Sequence, residues 1–446
     1  MRGARTAWGD GLSGRRACLV VAVAIALGIA ARAAFAFGYW TDKPMTHDEI
    51  EYLDLGRNLA DGRGFVYSSS LDPGTGQRFG RAPLYPVFLA VVLRATGTHA
   101  VPAGSPSAVT AIKAAQALLG GFVIALIALI AYQATGRQQA AVAAAAVAAA
   151  YPPLVWIGAY VLSEALFTVL ALASVALLGS VVDAEPPAAA ASPRRHHLRI
   201  IAAGALAGLA ALTRPVMIFF LAFAAAWLLA RRRWAWLAAL SLGAALVVLP
   251  WTVRNVRETG RLVLIASEGG VTFWTGNNAM SPGEGDLAAN PEMKRAEIAL
   301  RAHYPGWTAE QLEPVYYRAA FAYILRHPFD WVWLVARKFF YVWVPIGPSY
   351  RLHSARYFAA SVVSYALLLP LAIVGFRRLW TEGRRPRALW LLAASSVFAC
   401  LVFFPQERFR IPVIDPACIV GAAAWVASGP SRRERRAGTP AATAQE

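Results

Sequence analysis

An all-α, polytopic membrane protein is the fold class this sequence predicts, and three observations predict it. Of 446 residues, 58% are hydrophobic and only 15% are charged, and the mean hydropathy of +0.47 lies beyond that of a soluble domain. Apolar runs long enough to cross a bilayer recur along the chain. Arginine clusters recur at alternate ends of those runs, the pattern that holds loops on the cytoplasmic side. The formal net charge of +18 therefore reports loop orientation. No nucleic-acid partner is expected, because no basic run is interleaved with aromatics on a soluble domain. Cys18, Cys400 and Cys418 sit inside apolar runs, so no disulfide framework is implied.

In chain order, residues 1–39 carry a basic N-terminus and a first span at 17–39. That run is long and lacks a small-residue cleavage site before Tyr39-Trp40, so it reads as a retained anchor rather than a signal peptide. Residues 40–107 make a first external stretch, and 108–252 hold spans at 108–132, 138–157, 161–182, 199–213, 216–230 and 234–252. Residues 253–356 combine turn signals ("SEGG", "GNNAMSPGEGD") with helix-like segments, which suits a small external cap. Final spans at 357–376, 388–404 and 411–428 precede a tail, 429–446, expected to be disordered and cytoplasmic. The expectation is a bundle of about 10 to 12 transmembrane helices. Two further apolar segments, 83–97 and 331–347, would break the arginine pattern if one alone crossed, and their aromatics and internal arginines suit helices at the interface. Alternating sides from a cytoplasmic N-terminus puts the first stretch outside the inner (plasma) membrane, facing the periplasm or cell exterior.

That external stretch opens with "THDEIEYLDLGRNLADGRG", where five acids (Asp48, Glu49, Glu51, Asp54, Asp61) follow an apolar run. Thr46 and Glu49 have the spacing of a capping box for a helix beginning at His47, with Asp48 in the first turn beside the helix dipole. Capping and catalysis are compatible. A first-turn carboxylate held ionised at a membrane surface is also a preorganised proton acceptor.

"HDEIEYLDLGRNLADGRGF" followed by "RAPLYPVFLA" resembles the first external loop of bacterial membrane glycosyltransferases related to dolichyl-phosphate-mannose protein mannosyltransferases and to the lipid A aminoarabinose transferase. "LSEALF", "LAGLAALTRP", "LPWTVRNVRETGRLV", "GNNAM" and "ERFRIPVIDP" follow in the family's order. The resemblance implies a GT-C-type bundle with its active site on the external face, taking sugar from a polyprenyl-phosphate donor. It also carries the family's essential acidic pair onto Asp48 and Glu49, and donor-phosphate contacts onto Arg81 and Arg254. "RAP" in place of a lysine and the lack of a long soluble C-terminal domain depart from the aminoarabinose branch, leaving sugar and acceptor open.

The chemistry calls for the same residue types. An acceptor hydroxyl attacking the anomeric carbon needs a carboxylate within hydrogen-bond reach, expected to be Asp48, with Glu49 orienting it or closing the capping box. Inversion at the anomeric carbon is expected. The leaving phosphate suits guanidinium forks, for which Arg81, Arg254, Arg408 and Arg410 are candidates, with Tyr85 beside Arg81. Arg214 and Arg410 can equally snorkel to headgroups. Tyr52, Glu164, Asn277 and Asn278 are candidate sugar or acceptor contacts, though Glu164 also suits a helix start and the asparagines a turn. His47 beside two acids is a poor ligand set, so no cofactor is expected and a metal is not favoured. The alternative, a lipid-linked sugar flippase or transporter, should show paired broken helices in corresponding halves, and no such repeat is evident. The partners expected are a polyprenyl-phosphate-linked sugar, an acceptor glycan, lipid or protein, and the bilayer.

Overall fold

The computed structural model describes residues 14–41, 43–68, 81–101, 104–183, 193–285, 290–344 and 354–427. The expected disordered tail, 429–446, lies outside the described residues. Among these residues every regular element is helical, as the composition predicted.

Each expected span coincides with apolar helix. Six helices are long and apolar enough to cross a membrane: Gly14–Tyr39, Pro106–Thr135, Glu164–Val182, Pro193–Thr213, Trp234–Thr259 and Ala355–Thr381. Gln138–Ala150 and Pro152–Ala159 form a pair bent by 63°. The break has a local cause, since Tyr151 precedes Pro152 and is driven to extended backbone, with ψ 113°. Met217–Ala230, Arg387–Val402 and Ile414–Ala427 are apolar but shorter. Termini follow local chemistry too. Ser105 caps Pro106–Thr135 with Pro at its first turn, and Gly136 closes that helix at φ 66°.

Small residues let the helices approach closely. A Cβ on Gly204 would strike the Leu240 carbonyl, one on Gly243 the Ile201 carbonyl, and one on Gly375 the Gly421 carbonyl. Ala140, Ala144 and Ala148 are fully buried where Gln138–Ala150 packs among its neighbours. Ile414–Ala427 is buried almost all round and forms the centre of the bundle.

The two ends of the bundle differ. At one, Arg137 reaches the Ala427 carbonyl and Glu382, both at 3.3 Å, and Asp183 accepts the Arg387 N–H at 2.9 Å at the start of Arg387–Val402. At the other, Lys113 donates to the Trp40 carbonyl at 2.7 Å, and helices of the 40–107 and 253–356 stretches fold over the bundle. There His47–Ala60 packs on Leu84–Ala95, Gly56 against Leu89. Gly269–Gly276 packs on Ala309–Arg326, whose Glu313 accepts the Gly270 N–H at 3.1 Å. Pro328–Trp343 is amphipathic, baring Phe329 and Trp333 while burying Leu334 and Lys338, the character of a helix in the membrane interface.

Candidate active site

The helix His47–Ala60 starts as its sequence requires. Thr46 Oγ1 accepts the Glu49 N–H at 3.3 Å, and Glu49 Oε2 accepts the Thr46 N–H at 2.8 Å. The other Glu49 oxygen accepts the buried Val161 N–H at 2.8 Å, which ties this helix to the segment leading into Glu164–Val182. Held in this first turn, Asp48 faces two arginines from distant parts of the chain. Arg81 donates to its Oδ1 and Arg408 to its Oδ2, each at 2.6 Å. Arg81 also donates to Glu51 at 2.8 Å, lies 3.3 Å from Glu268 and stacks over the Tyr52 ring at 5.2 Å. It is the hub of the cluster.

Below this cluster the bundle is recessed. At ~1.5 Å per residue, the three short helices reach only ~21–24 Å against roughly 30 Å of hydrocarbon. The ends that stop short, near Met217, Val402 and Ile414, border a cavity of about 420 Å³. Its lining brings Asp48, Arg81, Glu164, Arg214, Glu268 and Arg408 together with an apolar wall of Val216, Met217, Phe219, Phe403, Phe404 and Phe409. Arg214 occupies the break between Pro193–Thr213 and Met217–Ala230, which ends before Pro215. Its guanidinium lies 2.5 Å from Glu164 Oε1. Glu164 is 1% exposed and its other oxygen has no hydrogen-bond partner among the described residues.

The carboxylates differ in proton affinity. Burial alone would raise that of Asp48, but Arg81 and Arg408 override it and hold Asp48 well below the usual carboxylate range. So clamped, Asp48 stays ionised and is a weak proton acceptor. Glu268 goes the other way, pushed up to about 7 by desolvation where the cavity partly encloses it, against the pull of Arg81 and with the help of Glu51 and Asp48. Its side chain is 41% exposed, and it lines the cavity.

No protein-family model and no curated protein matches the chain. Solved structures do. Archaeal oligosaccharyltransferase AglB from Archaeoglobus fulgidus, in complex with an inhibitory peptide and a dolichol-phosphate, aligns over 92% of this chain at TM-score 0.53 and 13% identity. The same organism's oligosaccharyltransferase tethered to an acceptor peptide aligns over 92% at TM-score 0.56 and 13% identity. The chain spans about half the length of these proteins, 50% and 49%. A structure of ArnT from Cupriavidus metallidurans bound to undecaprenyl phosphate overlays more loosely, with TM-score 0.43 and 14% identity over 93% of this chain and 78% of that one. This chain has the GT-C fold.

Within the GT-C fold, tertiary packing sorts the sequence-derived candidates. Asp48, Tyr52, Arg81, Glu164 and Arg408 line the cavity. Glu49 does not, because both its oxygens are engaged by backbone N–H groups. Tyr85 is fully buried and donates to Gln116 at 2.6 Å. Arg254 stacks on Trp251 at 4.7 Å and near Phe65 at 5.9 Å, outside the cavity lining. Asn277 is a buried junction, accepting from Trp331 and Lys338 at 3.0 Å each and donating to the Phe273 and Val402 carbonyls. Asn278 closes its own turn through the Trp274 carbonyl and the Met280 N–H. Arg410 is likewise buried, paired with Asp415 at 2.9 Å over the Tyr365 ring.

Three polar groups of this cluster were missed or undervalued in sequence: Glu51, Arg214 and Glu268. Glu51 lies one turn from His47 among other acids, and Arg214 reads as a snorkelling residue. Glu268 sits in "SEGG", which reads as a turn. Its only signal was an acid in a loop just beyond a span.

Proposed function

We propose that this chain is a membrane glycosyltransferase that moves a sugar from a polyprenyl-phosphate donor to a hydroxyl (or amine or phosphate) acceptor at the external face of an inner (plasma) membrane, with inversion. One observation carries the reading. Three guanidiniums, of Arg81, Arg214 and Arg408, share one cavity with a largely apolar wall, the surroundings an amphiphilic phosphate needs. Prenyl chain would follow the phenylalanine wall while the phosphate meets Arg81, Arg408 and Arg214. The GT-C fold, shared with a protein whose structure contains dolichol-phosphate, supports the same donor class.

In this reading the acceptor oxygen attacks the anomeric carbon from the side opposite the phosphate, so configuration inverts. Charge growing on the leaving phosphate is met by guanidinium forks, which need no metal to do so and contribute a few kcal/mol each. Asp48 sets two of those forks by holding one terminal nitrogen of each at 2.6 Å. Glu164, with an oxygen that has no hydrogen-bond partner among the described residues and a place on the cavity wall, is the candidate contact for a sugar hydroxyl, as is Tyr52 of the same lining. Asp48 as the base is a second reading, favoured by its place on the cavity lining. It requires donor phosphate to draw both arginines away and so restore its proton affinity.

The test has two parts. Protein in lipid nanodiscs should bind undecaprenyl phosphate, and mass spectrometry of glycolipids, glycans and glycoproteins from cells with and without the gene should reveal a missing glycoform. Absence of both binding and any glycan difference would overturn the reading.

A further inference from the structure

The transfer reaction has a proton to dispose of, and the cavity offers several carboxylates. Asp48 has both oxygens taken by guanidiniums. Glu51 faces Arg81 and is not part of the lining, with its side chain 13% exposed. Glu164 is 1% exposed and paired with Arg214. Glu268 is different. It is 41% exposed and meets Arg81 through a single 3.3 Å contact. It also stands at the start of Gly269–Gly276 without capping that helix, so its carboxylate is not committed to the backbone.

The charge inventory points the same way. Four carboxylates (Asp48, Glu51, Glu164, Glu268) surround three guanidiniums (Arg81, Arg214, Arg408) before any anion arrives. Transfer converts a phosphodiester monoanion into a phosphate monoester dianion, so the bound ligand gains one negative charge. In a site partly screened from water, an added charge close to this cluster is costly unless a nearby carboxylate is neutralised in the same step.

We propose that Glu268 is the proton acceptor of the transfer, taking the acceptor proton as the phosphate leaves and so keeping the charge of the site constant. The acceptor O–H proton passes to Glu268 while its oxygen bonds to the anomeric carbon. The anomeric carbon–oxygen bond to phosphate breaks, with the electron pair staying on the phosphate oxygen. Donor minus one with ionised Glu268 becomes prenyl phosphate minus two with neutral Glu268. Arg81, Arg408, Asp48, Glu51, Tyr52 and Tyr67 are the charged and titratable groups that face Glu268, and none of the carboxylates among them is both exposed to the cavity and free of a guanidinium at 2.8 Å or less. The inference rests on the proposed glycosyl transfer and names one residue within it.

The product complex gives a test that needs no known sugar. Undecaprenyl phosphate is essentially a dianion at about pH 8, since the second pKa of a phosphate monoester is near 6. Its binding to nanodisc-embedded full-length protein is measured by calorimetry in buffers of different ionisation enthalpy, which counts protons taken up. Wild type should take up close to one proton per ligand, and Glu268→Gln should bind with the uptake lost. Equal uptake by the two proteins would overturn the proposal, as would uptake retained in Glu268→Gln and lost in Asp48→Asn, the result for an Asp48 base. A complete lack of binding by wild type would instead remove the prenyl-phosphate site on which this inference rests, and, together with unchanged glycans, the glycosyltransferase reading as well.

Discussion

Asp48 and Arg408 are 360 residues apart in sequence and 2.6 Å apart in the fold. The pair joins the first turn of His47–Ala60 to the segment between Arg387–Val402 and Ile414–Ala427, and with Arg81 on the other oxygen it lines the cavity. Each end of this bridge is dictated locally. Thr46 and Glu49 fix the helix start, and the stop at Val402 brings Arg408 back over the recess.

Arginines lining the cavity should govern phosphate binding, and an arginine outside the lining should not. Arg81→Ala and Arg408→Ala are each expected to weaken undecaprenyl phosphate binding by about tenfold or more, as loss of a charge-assisted bond does. Arg254→Ala should change it by less than about twofold, because its guanidinium stacks on Trp251. Nanodisc binding isotherms for the three variants check this, and a loss in Arg254→Ala equal to that in Arg81→Ala would return Arg254 to the site.

Glu49 has a structural duty that the capping box alone understates. Both its oxygens accept backbone N–H groups, from Thr46 and Val161. In Glu49→Gln the amide NH2 must face one of them, so the substitution should cost about 1–2 kcal/mol rather than being neutral. Thermal melting in detergent reads the loss, and an unchanged midpoint would show that one of the two bonds is absent.

Glu268 should make stability depend on pH in a particular direction. Its folded-state proton affinity is raised from the model-peptide 4.5 to about 7, so the native state binds more protons than the unfolded state between those values. Stability therefore falls as pH rises from 4.5 to 7 and is flat for this group outside that window. Glu268→Gln should melt higher than wild type at about pH 8 and show no such advantage below about pH 4.5. A gain of equal size at both pH values would mean the effect is packing, not charge.

Orientation follows from the arginine pattern and has a direct test. In a background without Cys18, Cys400 and Cys418, Ala302→Cys, in the stretch expected to be external, should label with an impermeant maleimide added to intact cells. Thr381→Cys, at the arginine-rich end, should label only after the membrane is opened. Both positions are exposed. The reverse result would invert the topology.

What the sequence determined by itself was everything set by neighbours along the chain. Ten apolar runs became apolar helices because length and hydrophobicity alone put backbone into helix in a bilayer. Thr46 and Glu49 formed their capping box because its partners are three residues apart. The acids from Asp48 and the basic Arg81 were legible as one polar unit for the same reason. Tertiary structure decided which polar groups share a space. Nothing near Arg254 in sequence says that Phe65 lies beside it, nor that Tyr85 and Asn277 are consumed by buried bonds to Gln116 and Lys338. Nothing in "SEGG" says that Glu268 lies 3.3 Å from Arg81. Those outcomes depend on the three short helices whose missing turns open the recess, and on side chains brought together across hundreds of residues. Proton affinity and ligand contact depend on distance in space, which packing alone sets.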